Sequence, residues 1–426
     1  MRTNIAVFFL IFYSVCSAQT KSIKKSPLIT QAKPETSGMS SERLARIDSM
    51  CAKAISDGSI PGAVALVARN GKIVYHKAFG MADNQTGRAL KKNDIFRIAS
   101  QTKAITATAV MMLWEQGRFL LDDPISKFIP EFKDARILKS FKYEDTSFTT
   151  EAAKSEITIR QLLTHTSGIG YGIIDEDERF RMIYQKAGIT DLFTAENISL
   201  GENVKKLARL PLHHNPGERF TYSEGLDVLG YLVEILSGQP FDTFLKTHLF
   251  DPLGMIDTGF YLPKEKESRL VTIQKKESGN WIPYPVTFYD PAYPVKGARR
   301  YFSGGAGLCS TAYDYAAFLQ MYLNKGEING VRILSRTTVD IVMSNQIGDI
   351  WDGNFYGLVF QVVNQKKHEK GGEASTGTFG WGGYFNSQYF ADPKEKTIGI
   401  IMKQTQRADD DTPWKFLILV GQAVDD

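Results

Sequence analysis

Two apolar, β-branched runs near the N-terminus flank an Asn-Gly pair. The runs are GAVALVAR and KIVYHKAF, and the pair between them is Asn70-Gly71. The central residues of a two-residue hairpin turn need positive φ, which asparagine and glycine adopt more readily than other residues. The pattern therefore predicts a β-hairpin over residues 62–79, which commits this part of the chain to an antiparallel sheet.

A second antiparallel pair is predicted near the C-terminus. The run 379–391 and the run 397–403 form it across the polar segment 392–396. Helical periodicity dominates between the two pairs and closes the chain, with helices expected at 159–163, 226–236, 241–249, 311–324 and 414–423. We predict an α+β fold in which an antiparallel sheet flanked by helices is assembled from both ends of the chain, plus a largely helical inserted domain.

The boundaries of this organisation follow from changes in composition. Residues 19–39 are polar and dotted with prolines, which is typical of a linker. Ser40 or Ser41 then caps a predicted helix. We expect one domain over residues 40–425, with an α/β part at about 40–105 and 290–425 and a helical part at about 106–289.

Residues 1–18 have the pattern of a secretory signal peptide. Arg2 precedes an apolar run at 5–15, and Ser17 and Ala18 are small. Cleavage after Ala18 would leave Gln19 first and place the protein in the periplasm or outside the cell. The run is too short to span a bilayer, and no other run of membrane length follows it. Cys16 leaves a lipoprotein as the alternative, although Val15 fits such a site poorly.

Composition excludes several functional classes. Of the 426 residues, 43% are hydrophobic and 23% charged, as in ordinary globular proteins. The net charge of +4 is spread along the chain and does not indicate nucleic-acid binding. No Cys/His spacing indicates a metal site. Cys51 and Cys309 could pair in an oxidising compartment, but their apolar or small-residue surroundings favour two buried free thiols.

The segment FRIASQTKAIT, residues 96–106, places Ser100 three positions before Lys103. On a helix that begins at Ser100, both side chains would share one face. Serine becomes a nucleophile when a base takes its proton, and a lysine held neutral by burial or nearby positive charge can be that base. The helix is supported by the spacing of Ala107, Val110, Met111 and Trp114. Ser-x-x-Lys is a short pattern that recurs at residues 22–25, so its weight depends on what accompanies it.

Two further features accompany this pair. Tyr222 stands just before a predicted helix, and a tyrosine beside a lysine can relay protons. Gly382-Gly383 follows Trp381 on a predicted strand, where the missing side chains let the backbone approach a substrate. A backbone N–H there could join that of Ser100 as an oxyanion hole. His165, in the loop THTSGIGYG, could be a base, but we expect it to hold the loop through hydrogen bonds to the backbone.

Several segments, taken in order, resemble the serine β-lactamase and penicillin-recognising family, on its class C β-lactamase and family VIII carboxylesterase side. They include FRIASQTKAITATAVMMLWEQG, LLTHTSGIGYG, FTYSEGLDVLGYLVEILSG and FGWGGYFNSQYFADPKEKTIGIIMKQT. The resemblance extends from about Ser41 to Asp425. It implies a β-lactamase/transpeptidase-like fold and a two-step acyl-enzyme mechanism without a metal or an organic cofactor.

The resemblance also implies roles for individual residues. Ser100 would be the acylated nucleophile, and Lys103 and Tyr222 would move its proton to the leaving group and activate the deacylating water. The backbone N–H groups of Ser100 and Tyr384 would form the oxyanion hole. The substrate would lie along Trp381, Gly382 and Gly383.

Two positions depart from the family pattern. Tyr222-Ser223-Glu224 stands where β-lactamases and peptidases usually have Tyr-x-Asn, and Trp381-Gly382-Gly383 stands where they have Lys-Thr-Gly. An indole offers no positive charge to a substrate carboxylate. Both departures favour the esterase branch, so we expect hydrolysis of a small-molecule ester, or of an amide, with short acyl chains preferred. Phe379, Tyr384, Phe385, Tyr301 and Phe302 are candidates for an apolar acyl pocket.

Alternative functions remain open from the sequence. A β-lactamase or D-alanyl-D-alanine peptidase would need another cation in place of the missing lysine, and Arg299 and Arg300 are candidates. A penicillin-binding or sensing protein would be acylated without turnover. An inactive member of the family is disfavoured because Ser100, Lys103 and Tyr222 are all present.

Overall fold

The structure is a computed structural model that describes residues 20–369, 374–406 and 408–426. The predicted signal peptide, with Cys16 inside it, lies outside the described residues. None of the helices in the described ranges combines the length and the apolar character needed to cross a bilayer.

The strands of the described residues are β1 (Thr20–Lys21), β2 (Thr30–Gln31), β3 (Gly62–Arg69), β4 (Lys72–Asp83), β5 (Arg88–Ala89), β6 (Phe96–Arg97), β7 (Arg136–Phe141), β8 (Phe148–Ala152), β9 (Gln274–Glu277), β10 (Asn280–Pro283), β11 (Cys309–Ser310), β12 (Glu327–Ile328), β13 (Val331–Arg332), β14 (Phe355–Tyr356), β15 (Gln361–Val362), β16 (Phe379–Gly382), β17 (Gln388–Asp392), β18 (Thr397–Met402) and β19 (Thr405–Gln406).

The α-helices are α1 (Ser41–Leu44), α2 (Arg46–Ser56), α3 (Thr102–Glu115), α4 (Ile159–Leu163), α5 (Glu178–Ala187), α6 (Leu200–Leu207), α7 (Gly225–Ser237), α8 (Phe241–Leu245), α9 (Asp251–Leu253), α10 (Ala312–Leu323), α11 (Arg336–Met343), α12 (Gln365–Glu369) and α13 (Thr412–Gln422). Short 3₁₀ helices occur at Pro34–Ser37, Ala99–Gln101, Ile125–Lys127, Pro130–Phe132 and Lys264–Arg269, and a π-helical turn at Lys246–Phe250.

Strands from both ends of the chain form one nine-stranded sheet. Its order is β14-β15-β16-β17-β18-β3-β4-β2, with β5 paired to β4. The two halves meet where β18 pairs antiparallel with β3, placing Thr397 opposite Arg69 and Met402 opposite Val64. The prediction of an antiparallel sheet assembled from both ends is therefore confirmed, with β2 added to β4 in parallel.

The central strand β3 separates two hydrophobic cores. Alternate residues of a strand point to opposite faces. Val64, Leu66 and Ala68 pack into the large core with α3 and α10, whereas Ala63, Ala65 and Val67 pack against α2 and α13. Helices therefore cover both faces of the sheet, which is the predicted α+β arrangement.

The predicted hairpin is present, with Asn70 at φ 54° and Gly71 at φ 74° in the turn between β3 and β4. The pairing of β17 with β18 is also confirmed, with Asp392 opposite Thr397. The prediction of one strand over 379–391 is wrong. The chain reverses at residues 383–387, where Asn386 takes a φ of 64°, so β16 and β17 pair with each other.

Residues 20–39 differ from the predicted linker. Strand β1 pairs with β13, and strand β2 pairs with β4. Ile29 and Met39 are buried in the two cores. A few apolar side chains in an otherwise polar segment are enough to hold it against the domain.

The inserted region is less uniformly helical than predicted. Helix α4 has the predicted bounds and is capped by Thr158, but the hairpins β7–β8 and β9–β10 were not predicted. Helix α3 lies beneath this region and is buried from Thr102 to Leu113. Cys51 and Cys309 are free and buried, as predicted.

Candidate active site

Ser100 lies in the 3₁₀ turn that leads into α3. The turn is anchored on its N-terminal side: β6 pairs with β11, and the Ile98 N–H donates to the Leu308 carbonyl oxygen at 3.0 Å. Ala99 has a φ of +43°, a left-handed conformation that costs about 1–3 kcal/mol for such a residue. The α-helix predicted to begin at Ser100 therefore begins at Thr102, and Ser100 is left partly exposed on the preceding turn.

Lys103 lies in the first turn of α3 and is 2% exposed. Its Nζ lies 3.4 Å from Ser100 Oγ, 2.8 Å from the Gly305 carbonyl oxygen and 2.8 Å from Tyr171 Oη. The Gly305 and Tyr171 oxygens can each accept one N–H of the lysine, which leaves the remaining position of the nitrogen, an N–H or a lone pair, for Ser100 Oγ. The structure thus brings Ser100 and Lys103 together, as their spacing predicts.

The glycine turn at residues 304–307 holds the Lys103 nitrogen through the Gly305 carbonyl. The Asp227 carboxylate accepts hydrogen bonds from the Gly305 N–H at 2.6 Å and from Ser303 Oγ at 2.8 Å, which fixes the Gly305 carbonyl. A Cβ atom on Gly305 would lie 3.5 Å from both Lys103 Nζ and Tyr171 Oη. Burial raises the pKa of Asp227, while the hydrogen bond from Gly305 opposes that rise.

Tyr222 covers Lys103 with its ring, whose centre is 4.7 Å from Nζ. This is a cation–π arrangement. The Tyr222 hydroxyl accepts a hydrogen bond from Trp381 Nε1 at 3.2 Å. The predicted residues Ser100, Lys103, Tyr222 and Trp381 therefore meet in one place. Lys103 faces the Tyr222 ring, however, and its hydrogen bond to a phenol goes to Tyr171.

Tyr171 is a site residue that the sequence reasoning missed. Its side chain is 2% exposed, and its ring centre lies 5.6 Å from that of Tyr222. Burial raises the pKa of Tyr171 well above its usual value, and nearby Tyr222 and Asp227 add to the effect, so the phenol stays protonated. In the sequence, Tyr171 stands between Gly170 and Gly172 in the loop THTSGIGYG. Only the histidine of that loop was considered as a catalytic residue.

His165 supports the tyrosine loop. Its Nδ1 accepts a hydrogen bond from the Ser223 N–H at 3.2 Å, and its backbone carbonyl accepts from the Thr221 N–H at 2.7 Å. Its ring lies 4.6 Å from that of Tyr222, centre to centre. Burial, and then the charge of Lys103, hold the pKa of His165 well below its usual value. The expected role in holding the loop agrees with these contacts.

Strand β16 brings Trp381, Gly382 and Gly383 to the nucleophile. A Cβ atom on Gly383 would lie 2.7 Å from the Ile98 carbonyl oxygen, so the end of this strand rests on the turn that carries Ser100. Glycine is required here by close backbone approach. Ser100 and Tyr384 both line the cavity at this point, as a shared oxyanion hole would require.

The cavity has a volume of about 530 Å³. Its described lining contains no lysine or arginine and consists of Ser100, Ile174, Tyr222, Gln361, Val362, Val363, Ala374, Thr378, Phe379, Gly380, Trp381, Gly382, Tyr384, Gln388, Tyr389, Phe390, Trp414 and Leu417. Of the aromatic residues expected in an acyl pocket, Phe379 and Tyr384 line it. Phe385, Tyr301 and Phe302 lie outside the lining and pack within apolar clusters.

The two arginines considered as replacements for the missing lysine lie elsewhere. Arg299 donates to the Val295 carbonyl oxygen and lies 3.9 Å from Glu267, and Arg300 donates to Asn197. Neither lines the cavity. They do not supply a cation to a substrate bound at Ser100.

Glu224 occupies the position of the family's asparagine and does not line the cavity. It is 1% exposed, and burial together with the nearby Asp191 carboxylate raises its pKa well above the usual value. It offers no amide to a substrate. Among the described residues, no group of three or more His, Cys, Asp and Glu side chains is arranged to hold a metal ion.

Comparisons with known proteins agree with this geometry. The family model described as Beta-lactamase matches residues 45–422. Esterase EstB of Burkholderia gladioli is 33% identical over 365 residues, which cover 82% of this chain and 87% of the relative. Protein Rv1367c of Mycobacterium tuberculosis is 31% identical over 366 residues, covering 82% and 86%. The solved structure of EstCE1, described as a hydrolase with promiscuous acyltransferase activity, has a TM-score of 0.76 at 26% identity, covering 90% of this chain and 98% of that one.

Proposed function

This chain belongs to the Beta-lactamase family and is a serine hydrolase, and from that premise we propose that it hydrolyses carboxylic esters through an acyl-enzyme at Ser100. The observation that carries the proposal is the position of Lys103 Nζ, 3.4 Å from Ser100 Oγ and in contact with two tyrosines. Short acyl chains are the preferred substrates in this proposal.

The first half of the reaction transfers the acyl group to the enzyme. Ser100 Oγ attacks the ester carbonyl carbon, and its proton passes to Lys103 or to Tyr222. The carbon–oxygen bond to the alcohol then breaks, and the alcohol oxygen takes up the proton. Backbone N–H groups of Ser100 and Tyr384 would stabilise the negative oxygen of the tetrahedral intermediate, because N–H donors fixed in place need no reorganisation.

The second half releases the acid. The same groups accept a proton from a water molecule, whose oxygen attacks the acyl carbon. The bond between that carbon and Ser100 Oγ then breaks, and Oγ takes the proton back. Tyr171 acts through Lys103 in this scheme. Its hydroxyl and the Gly305 carbonyl keep the lysine nitrogen directed towards the nucleophile during both halves.

Two features favour esters over β-lactams. The indole N–H of Trp381 is directed to the Tyr222 oxygen, at the position where a lysine would attract a substrate carboxylate. Glu224 is buried, so the position that would contact an acylamino group is missing from the cavity. The 33% identity to an esterase over most of both chains supports the same choice.

The test compares p-nitrophenyl butyrate with nitrocefin on the protein beginning at Gln19. We expect ester turnover that falls by about a thousandfold or more in Ser100→Ala, with little nitrocefin cleavage. Lys103→Ala and Tyr222→Phe should each lose on the order of a hundredfold. Ser56→Ala, an exposed serine at the end of α2, is the matched control and should keep the wild-type rate.

Other outcomes would replace the proposal. Ester turnover that survives in Ser100→Ala would remove the mechanism. Fast nitrocefin turnover would indicate a β-lactamase, and a burst of one equivalent without a steady rate would indicate a penicillin-binding or sensing protein.

We also propose that the protein is exported and that residues 1–18 are removed. The support is the pattern of Arg2, the apolar run and the small residues before Gln19. Intact-mass measurement on protein recovered from the periplasm or medium should give a chain that begins at Gln19. Protein that remains in the cytoplasm with residues 1–18 attached would contradict it.

A further inference from the structure

The cavity at Ser100 continues past the catalytic residues to the C-terminal helix. Five of its lining residues, here called the outer groove, lie beyond Trp381: Gln361, Gly380, Phe390, Trp414 and Leu417. The first three come from β15, β16 and β17, and the last two from α13. One continuous space therefore joins the nucleophile to a helix that the proposed reaction does not use.

Gly382 at the end of β16 keeps this passage open. Trp381 packs on the inner side of the sheet with Tyr222 and Tyr356, so the alternate residues Gly380 and Gly382 face the outer side, where α13 packs. A Cβ atom on Gly382 would meet its nearest neighbour, the Ser387 carbonyl oxygen, at 3.6 Å, which is ordinary contact. A side chain would fit at Gly382, and its absence leaves that space to a ligand.

Trp414 is the most exposed large side chain of this groove. It lies on the first turn of α13 and is 58% exposed. A tryptophan in a folded protein usually buries a large apolar area, so this exposure leaves apolar surface uncovered. None of the five residues of the outer groove carries a charge. An exposed aromatic ring at the end of a neutral cavity fits an uncharged apolar group, and aromatic groups best.

The arrangement of the catalytic groups indicates which half of the ester reaches this groove. The proposed oxyanion hole lies at Tyr384, past the end of β16, whereas the Tyr222 hydroxyl is bonded to Trp381, three residues earlier. The alcohol oxygen takes its proton from Lys103 or Tyr222, so it lies on the Trp381 side of the carbonyl. Along β16, the next residue of the outer groove on that side is Gly380, which lines the same cavity as Trp414 and Leu417 of α13.

We propose that the outer groove binds the apolar alcohol part of the ester and that Trp414 determines the preference for large or aromatic alcohols. The inference rests on the proposed function, because it assumes that Ser100 is acylated by an ester. The bond that breaks is the one between the acyl carbon and the alcohol oxygen, and the alcohol leaves through the groove with the transferred proton.

Acetate esters test the proposal cleanly because they all give the same acetyl-enzyme. We would measure kcat/KM for 2-naphthyl acetate and methyl acetate with wild type and Trp414→Ala. The ratio of the two kcat/KM values should fall about tenfold in the variant, as expected for loss of one aromatic contact. Trp414→Phe should restore most of the ratio. Deacylation is common to both esters, so its rate should not change.

Ile418→Ala is the matched control. Ile418 lies one turn later on α13, is 39% exposed and lines a separate groove against α2. It should leave the ratio at the wild-type value. Melting temperatures of all three variants identify any loss of fold.

Three results separate the possibilities. An unchanged ratio in Trp414→Ala, with Ser100-dependent turnover intact, overturns this inference and leaves the proposed function standing. No Ser100-dependent turnover of any ester overturns both. In a p-nitrophenyl series from acetate to octanoate, the alcohol is constant, so Trp414→Ala should lower kcat/KM equally at all lengths. A loss that grows with acyl length would place the acyl chain in the groove and overturn the assignment.

Discussion

The side-chain nitrogen of Lys103 lies 2.8 Å from the hydroxyl oxygen of Tyr171. Tyr222, the tyrosine predicted to assist catalysis, instead presents its ring to the same nitrogen and bonds through its hydroxyl to Trp381. The two phenols therefore have separate tasks. Tyr171 fixes the lysine, and Tyr222 presents a hydroxyl to the cavity.

Tyr171→Phe should reduce ester turnover without removing the nucleophile. The variant keeps the ring and loses the hydroxyl partner of the lysine. We expect kcat/KM for p-nitrophenyl butyrate to fall by about tenfold to a hundredfold, since a hydrogen bond to a charged group contributes about 1.5–3 kcal/mol. The pH profile of kcat/KM should change with it, because the proton-transferring group has lost a partner.

The matched control for this variant is Tyr322→Phe. Tyr322 is buried, and its hydroxyl is bonded to Thr108 of the same helix α3, at 2.7 Å. It should lose stability but keep the wild-type rate and pH profile. Equal rate losses in both variants would mean that Tyr171 acts only on the packing of α3.

Trp381→Phe tests the bond between Trp381 and Tyr222. The aromatic ring is kept and the N–H donor is lost. We expect kcat/KM to fall by about threefold to tenfold, as for one neutral hydrogen bond of about 0.5–1.5 kcal/mol. The double variant with Tyr222→Phe should lose no more than Tyr222→Phe alone, since both changes remove the same bond. Fully additive losses would show that Trp381 contributes to turnover independently of Tyr222.

Local chemistry explains which parts of this structure could be predicted from the sequence. The Asn70-Gly71 turn depends on the φ preferences of two residues, and the Ser100–Lys103 contact depends on a spacing of three along one turn. The contact between Lys103 and Tyr171 spans 68 positions. The contact depends on how the loop of Tyr171 packs on the glycine turn. The sequence has no periodicity that predicts this packing.

Two wrong predictions, the single strand at 379–391 and the linker at 19–39, also came from relying on local sequence patterns. The segment predicted as one strand, 379–391, contains a chain reversal at Asn386, a residue that tolerates positive φ. Because apolar residues flank this position, the sequence pattern did not indicate the turn. Residues 20–39 looked like a linker because their composition is polar. Pairing with β4 and β13 depends on edges supplied by distant parts of the chain.

Both cysteines should be inaccessible in the folded protein. Burial raises the pKa of Cys51 and of Cys309 to about 12, so neither forms a thiolate at pH 8. On the chain beginning at Gln19, a thiol reagent such as dithionitrobenzoate should label no cysteine in native protein and two in guanidinium without reductant. Failure to label the denatured protein until reductant is added would show that the two are joined by a disulfide.

Glu224→Gln should stabilise the protein increasingly as the pH rises. The buried carboxyl of Glu224 has a pKa raised by burial and by Asp191, with Asp227 adding to it and Lys103 opposing it. In the unfolded chain the carboxyl ionises near its usual value of 4.5. Its contribution to stability is therefore complete below pH 4.5 and is lost as the pH rises towards the folded-state pKa. Glutamine cannot ionise and escapes this loss.

The measurement is the free energy of unfolding in denaturant from pH 4.5 to 8.5. Between pH 4.5 and the folded-state pKa, the variant should gain on wild type by up to about 1.4 kcal/mol per pH unit, which is the effect of one proton released on unfolding. Glu178→Gln, an exposed residue of α5, is the control and should run parallel to wild type. A difference between Glu224→Gln and wild type that stays constant with pH would mean that the Glu224 carboxyl is ionised in the folded protein, with its charge balanced by Lys103.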